Sequence, residues 1–207
     1  MGRIALLSVF EKFGIERFAR ALVELGFDVY ASGGTFEYLT QADVDRRDGQ
    51  SKINPLNVST LTGVEPILGH RVVTLHPKIH GGLMGTEEMR EEMDEHGIPW
   101  IDLVCVDLSP IYDAIDAQDA TLESVTAQID IGGPALLCAA AKGNRLVLCN
   151  PDQRGMVLAA LSSDRVTSGL LLQLRQAAVK CVARYTTAQA AFLLKEMRKQ
   201  VLDGASE

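Results

Sequence analysis

The sequence predicts an α/β protein built on a parallel sheet with helices on both faces and a long helix at its C-terminal end. Three observations carry this reading. Short apolar runs alternate with segments of helical period from the N-terminus onward. Glycine-bearing bends follow strands or open helices in SVFEKFG, ASGGT and DIGGP. The stretch from Ser168 to Gln200 keeps apolar positions on more than one face and holds no strong breaker.

Taken in order, RIALLSV is a short strand. GIERFARALVELG then spaces Ile15, Phe18, Ala19, Leu22 and Leu25 along one helical face, with Gly26 as the stop signal. FDVYA is the second strand and SGGTFEYLTQA opens the second helix. From Asp43 to Thr60 the chain is polar and carries Gly, Pro and Asn, which predicts a mobile loop or insertion. MGTEEMREEMDEHGIP reads as a charged surface helix, and DLVCVDL is apolar enough for a central strand. SPIYDAID and LESVTAQ are short helical segments, IDIGGPALLCAAAKG is a helix opened by glycines, and RLVLCN is a further strand. PDQRGMVLAAL predicts another helix, with Pro151 at its start, where a missing N–H is harmless.

Length and charge narrow the function classes. With 207 residues the chain accommodates one large domain, expected over 1–160, and a helical extension over 161–207 that packs on that domain or on a second subunit. A hydrophobic fraction of 47% against 23% charged residues places it among globular proteins rather than disordered ones. The net charge of -7 excludes a non-specific nucleic-acid coat, because the bulk of a phosphate backbone would be repelled. No apolar run approaches the roughly 20 residues needed to span a bilayer, and MGRIALLSVFEKFG reads as a strand and not as a signal peptide. Cys105, Cys138, Cys149 and Cys181 are widely spaced and lack any CxxC or Cys/His ligand pattern, so reduced thiols in a cytoplasmic protein are expected.

The glycine bends belong at the carboxyl edge of a parallel sheet, where ligands bind. Backbone amides at such a bend, together with a helix N-terminus, suit a phosphate. Taken alone, SGGT reads equally as a turn with an N-cap from Ser32 or Thr35. RVVTLHPKIHGG crowds Arg71, Thr74, His76, Lys78 and His80 into a stretch with no amphipathic period, as a binding loop does. The His76 and His80 pair has no acidic or Cys partner at ligand spacing, so no metal is expected, and His76 is open to a capping role. Asp130 precedes the glycines of DIGGP, and Lys142 follows twelve residues later. Lys142 is either a favourable charge at a helix end or an acid–base group near the site. Trp100, the only tryptophan, is expected in core or interface packing.

Read together, ALLSVFEKFGIERFARAL, VYASGGT, LTGVEPILGHRVVTLHPKIHGGLMG, IDLVCVDLSPI and IDIGGPALLCAAAKG resemble the IMP cyclohydrolase domain of the bifunctional purine-biosynthesis enzyme, in order and spacing over roughly the first 155 residues. The resemblance implies a three-layer, methylglyoxal-synthase-like fold and a chain without the family's formyltransferase domain. It implies as substrate the formamidoimidazole carboxamide ribotide, closed to IMP with loss of water and without a cofactor. It also implies a homodimer and leaves room for a separate formyltransferase partner. Methylglyoxal synthase shares the fold, but its aspartate-bearing glycine motifs are not found here.

Carried over by position, the resemblance puts the phosphate loop on Ser32, Gly33, Gly34 and Thr35, with Lys12 as the contact from the first strand. It puts Arg71 and Thr74 at the nucleotide and Asp107 among the substrate-binding residues. It puts Asp130, in a catalytic role, and Ile131 near the base, and the acid–base lysine at Lys142. The chain departs from the family at the reacting end. Val73 stands where RVKTLHP has its lysine, and Asp107 and Ser109 stand where NLYP has asparagine and tyrosine. Phe10 replaces a common serine and Cys138 an arginine. Lys78 and Tyr112 are the side chains expected to compensate for the lost cation and phenol. The second reading is therefore a ribotide-binding module with weakened catalysis.

Overall fold

Parallel pairing without hairpins requires each strand to be followed by a crossover, and the chain supplies one after nearly every strand. A computed structural model describes residues 2–68 and 72–204, with side chains to 201. Strand β1 (Arg3–Ser8) is followed by α1 (Ile15–Glu24), β2 (Phe27–Ala31), α2 (Gly33–Val44), β3 (Leu56–Asn57), α3 (Ser59–Thr62), α4 (Pro77–Met84) and α5 (Arg90–Glu95). Then come β4 (Leu103–Val106), α6 (Ile111–Asp116), α7 (Leu122–Ala127), α8 (Gly132–Lys142), β5 (Leu146–Leu148), α9 (Gln153–Ser162) and α10 (Ser168–Gly204). The anticipated strands, here β1, β2, β4 and β5, occur in the expected order with helices between them, whereas β3 and α4 form in stretches that read as loop.

All pairings are parallel, in the order β3-β2-β1-β4-β5, with Ala5 opposite Val29 on one side of β1 and opposite Leu103 on the other. The chain winds outward from β1 to β3, then returns to the other side of β1 for β4. This reversal leaves a crevice at the carboxyl ends of β1 and β4, where the connections diverge. Because helices cover both faces, the inner strands read as unbroken apolar runs: Ile4 to Leu7 and Leu103 to Val106 are all buried. On α1, Ile15, Phe18, Ala19 and Leu22 turn inward together, as their spacing requires.

Helix α10 spans 37 residues, about 55 Å of rise. It lies against α8, β5 and α6 and buries Leu174, Ala178, Tyr185 and Phe192. Among the described residues no helix is long and apolar enough to cross a membrane. Trp100 is held between the guanidinium groups of Arg90 and Arg145, at 3.6 and 3.3 Å from the ring centre. Arg145 also caps α4 by donating to the carbonyls of Leu83 and Gly85.

The stretch expected to be a mobile insertion is instead tethered. Arg20 and Asp43 form a buried ion pair at 3.1 Å. The Asp43 carboxylate also accepts from the amides of Ile53 at 2.9 Å and Asn54 at 2.8 Å, while Arg20 donates to the carbonyls of Ala42 and Ser51. These bonds fold the connection back so that Leu56 and Asn57 reach the sheet edge as β3. Asp43→Asn keeps an acceptor for the amides but leaves Arg20 without its counter-charge. We expect it to cost about 2 kcal/mol, read as a lower urea midpoint at unchanged slope.

Candidate functional site

The crevice opens into a cleft of about 1110 Å³. β1 delivers Ser8 and, just past its end, Val9, Phe10 and Lys12. β2 delivers Ser32 and the first turn of α2, β4 delivers Asp107 and Ser109, and the opening of α8 delivers Asp130 to Gly133. Lys12, Ser32, Gly33, Gly34, Thr35, Thr74, Asp107, Asp130 and Ile131, anticipated from separate parts of the sequence, all line this one cleft. Arg71 lies outside the described residues.

The α2 end is built as an anion cradle. Gly33 takes φ +41°, a left-handed backbone that side chains disfavour, and this lets the strand turn directly into the helix. The amides of the first helical turn have no intrahelical acceptor and carry the positive end of the helix dipole. Ser32 Oγ donates to Ser8 Oγ at 2.7 Å. Thr35 does something the sequence did not reveal: its buried hydroxyl accepts from the Val9 amide and donates to the Val9 carbonyl, both at 3.1 Å, pinning α2 to the end of β1. Lys12 folds back over the same strand end, donating to the carbonyls of Val9 and Phe10. Burial pulls the Lys12 ammonium below its ordinary pKa, opposed by the negative charges of Asp107 and Glu11.

Two carboxyl groups also line the cleft. Asp107 accepts from the Phe10 amide and pairs with the buried Arg154 of α9 at 3.8 Å, while Arg154 donates to the Phe13 carbonyl at 2.9 Å. Asp107 is therefore a structural counter-charge at the strand crossover as well as part of the wall. Burial raises its pKa, with the Phe10 amide and Arg154 opposing. Asp130 Oδ1 accepts from the Gly133 amide at 2.9 Å. Burial raises the Asp130 pKa as well, against the lowering effect of the Gly133 and Gly132 amides. A Cβ on Gly133 would stand 2.3 Å from Asp130 Oδ2 and 2.6 Å from Leu108 Cδ2, so only glycine lets the carboxylate lie over the helix opening.

Other side chains lie elsewhere. Lys142 is not brought to the cleft: it ends α8, whose eleven residues put it about 15 Å beyond the helix opening. There it lines a shallow apolar groove with Cys138 and Leu172. Tyr112 gives its hydroxyl to the Arg184 carbonyl at 3.2 Å and does not line the cleft. Lys78 is likewise absent from the lining, which leaves Lys12 as its one lysine among the described residues. His76 caps α4 by accepting from the Lys78 amide. Among the described residues no three His, Cys, Asp or Glu side chains cluster as a metal site would require.

Sequence reasoning missed Tyr185. From the middle of α10 its buried hydroxyl accepts from the Asp130 amide at 2.9 Å and bonds Ser109 Oγ at 3.2 Å. A phenol thus stands behind the two loops from which Ser109 and Asp130 project. The only available signal was a polar-tipped aromatic in a helix whose buried face the periodicity leaves ambiguous.

Comparison with known proteins agrees with this architecture. Residues 14–135 match the MGS-like domain family. The chain is 37% identical over 205 residues to the bifunctional purine biosynthesis protein PurH of Oceanobacillus iheyensis, covering 97% of this chain and 38% of that protein. It is 40% identical over 201 residues to the PurH of Cyanothece sp., covering 93% and 37% respectively. The chain thus spans under two fifths of the length of these curated relatives. The crystal structure of ForH superposes with a TM-score of 0.76 at 33% identity, covering 93% of this chain and 100% of that one.

Proposed function

This chain belongs to the MGS-like domain family, and from that footing we propose that it is an IMP cyclohydrolase, closing the formamidoimidazole carboxamide ribotide to IMP. The observation that carries the reading is the convergence of Lys12, the Ser32 to Thr35 bend and Asp130 on one cleft at the strand crossover. The amides at the opening of α2, with Lys12 beside them, suit the 5′-phosphate. The heterocycle then extends toward Asp130 and Ile131.

In the reaction the carboxamide nitrogen attacks the formyl carbon. The new C–N bond forms as the carboxamide gives up one N–H proton and the formyl oxygen is protonated to a carbinol. The C–O bond then breaks as its oxygen leaves, protonated, as water, while the formamide nitrogen gives up its own proton and forms the C=N bond. Asp130 is assigned the carboxamide nitrogen's proton. Burial makes its carboxylate more basic than an ordinary one, and the Gly133 amide fixes its orientation. Holding the two reacting groups together in the cleft supplies a further part of the acceleration. Lys142 has no part in this scheme within one chain.

Two results are expected of an active enzyme. The acidic limb of kcat lies above the ordinary Asp pKa of about 3.9, because the base must be ionised and its folded pKa is raised. Stability has the opposite sign: the folded state binds more protons than the unfolded one between those two pKa values, so this carboxyl costs stability as pH rises. Gly133→Ala is expected to lower kcat about 10²-fold by displacing Asp130, with thermal unfolding still cooperative.

A second reading, a ribotide-binding module with weakened catalysis, is favoured by one observation. Val73 and Ser109 line the cleft in place of a cation and a phenol, with Lys12 the sole lysine among the described lining residues. Calorimetry with IMP beside a turnover assay separates the two, since tight binding without turnover supports the module. A second copy of the chain is the partner we propose for the exposed Leu172 and Val179 of α10. Sedimentation as a monomer at working concentration would remove that partner.

A further inference from the structure

Behind the cleft, the carboxyl end of β5 and the middle of α10 bring two cysteines together. Cys149 directly follows β5, and Cys181 sits one helical turn before Tyr185. Both are half-buried, α10 packs directly on β5, and each thiol shifts the other's titration. A cavity of about 720 Å³ opens onto both, sharing Asp107 and Ser109 with the cleft as a common wall. A small oxidant entering that cavity meets both sulfurs at once.

The two sulfurs are chemically unlike. The neighbouring Cys149 thiol lowers the Cys181 pKa below its ordinary value, against the effect of burial and with the Arg184 charge adding to the lowering. The same interaction, together with burial, raises Cys149. One thiol is therefore the more easily ionised while its neighbour keeps its proton, the arrangement of an attacking and a resolving cysteine. The other two cysteines lack it. Cys105 is fully buried on β4, and burial pushes its thiol up to about 11. Cys138 is exposed on the far side of α8.

We propose that Cys149 and Cys181 are a redox modification site, oxidised by hydrogen peroxide to a disulfide that joins the end of β5 to α10. The Cys181 thiolate attacks one peroxide oxygen; the O–O bond breaks, and the leaving hydroxide takes a proton to become water. Cys181 is then a sulfenic acid. The Cys149 sulfur attacks it, the S–O bond breaks, and the oxygen leaves as a second water carrying the Cys149 proton. Two thiols and one peroxide become one disulfide and two waters, and a dithiol reductant reverses the change.

The test is mild peroxide treatment of the full chain, then alkylation, intact mass measurement and peptide mapping. Alkylatable thiols are expected to fall from four to two per chain, with a mass loss of two hydrogens before alkylation. A cross-linked peptide pair should contain Cys149 and Cys181, and dithiothreitol should restore all the thiols. In Cys149→Ser the same treatment should leave a sulfenic acid on Cys181 that dimedone traps. The wild-type map stands by itself if that variant folds poorly. Full alkylation after treatment, oxidation confined to Cys138, or a disulfide pairing other cysteines would each overturn the proposal.

Discussion

Asp130→Asn is expected to lower kcat for ring closure by about 10²- to 10⁴-fold, the usual contribution of a positioned acid–base group, while IMP binds nearly as before. Asparagine keeps an oxygen to accept from the Gly133 amide, so the opening of α8 retains its bond. The Tyr185 hydroxyl accepts from the backbone amide of residue 130 and is untouched by the exchange. What is lost is a buried negative charge, whose burial already works against ionisation. The variant should therefore be at least as stable as the parent at neutral pH, and its acidic kcat limb should vanish. A variant that turns over at the parental rate would show that the nitrogen's proton goes elsewhere.

Arg154→Leu is the second large effect, and it falls on stability. The Arg154 guanidinium is buried between the Asp107 carboxylate and the Phe13 carbonyl, tying α9 to the loop after β1 and to the end of β4. Leucine fills part of the space but leaves Asp107 buried without a counter-charge. Breaking such a pair costs about 3–5 kcal/mol, which for a chain of this size lowers the melting temperature by about 10 °C. Adding Asp107→Asn should recover much of the loss, because the amide oxygen still accepts from the Phe10 amide and no charge is stranded. Urea unfolding of the parent, single and double variants measures the coupling directly. A double variant as unstable as Arg154→Leu alone would place the cost in lost packing.

The parts of the fold that follow local rules were readable. Apolar runs such as LVCV marked the central strands, and Gly26 and the DIGGP bend marked helix ends where they occur. The cleft was also legible, because glycine bends after parallel strands must gather at one edge of the sheet. Pairings between distant polar groups were not. Nothing local to Arg20 announces that it meets Asp43, so the connection that pair tethers read as mobile. Equally, nothing local to Thr35 announces that its hydroxyl bonds Val9, just past the end of β1. Lys142 was drawn toward the site by resemblance, whereas the rise of its helix carries it to the opposite end of α8. Tyr185 was hidden because α10 buries different faces along its length, and only the packed structure selects which one meets Asp130.

The most direct measurement is the absorbance change on mixing purified protein with the formamidoimidazole carboxamide ribotide. The cyclohydrolase reading predicts IMP formation well above the buffer rate, saturating with substrate and abolished by Asp130→Asn. A rate equal to the buffer blank, from protein that still binds IMP, would contradict it.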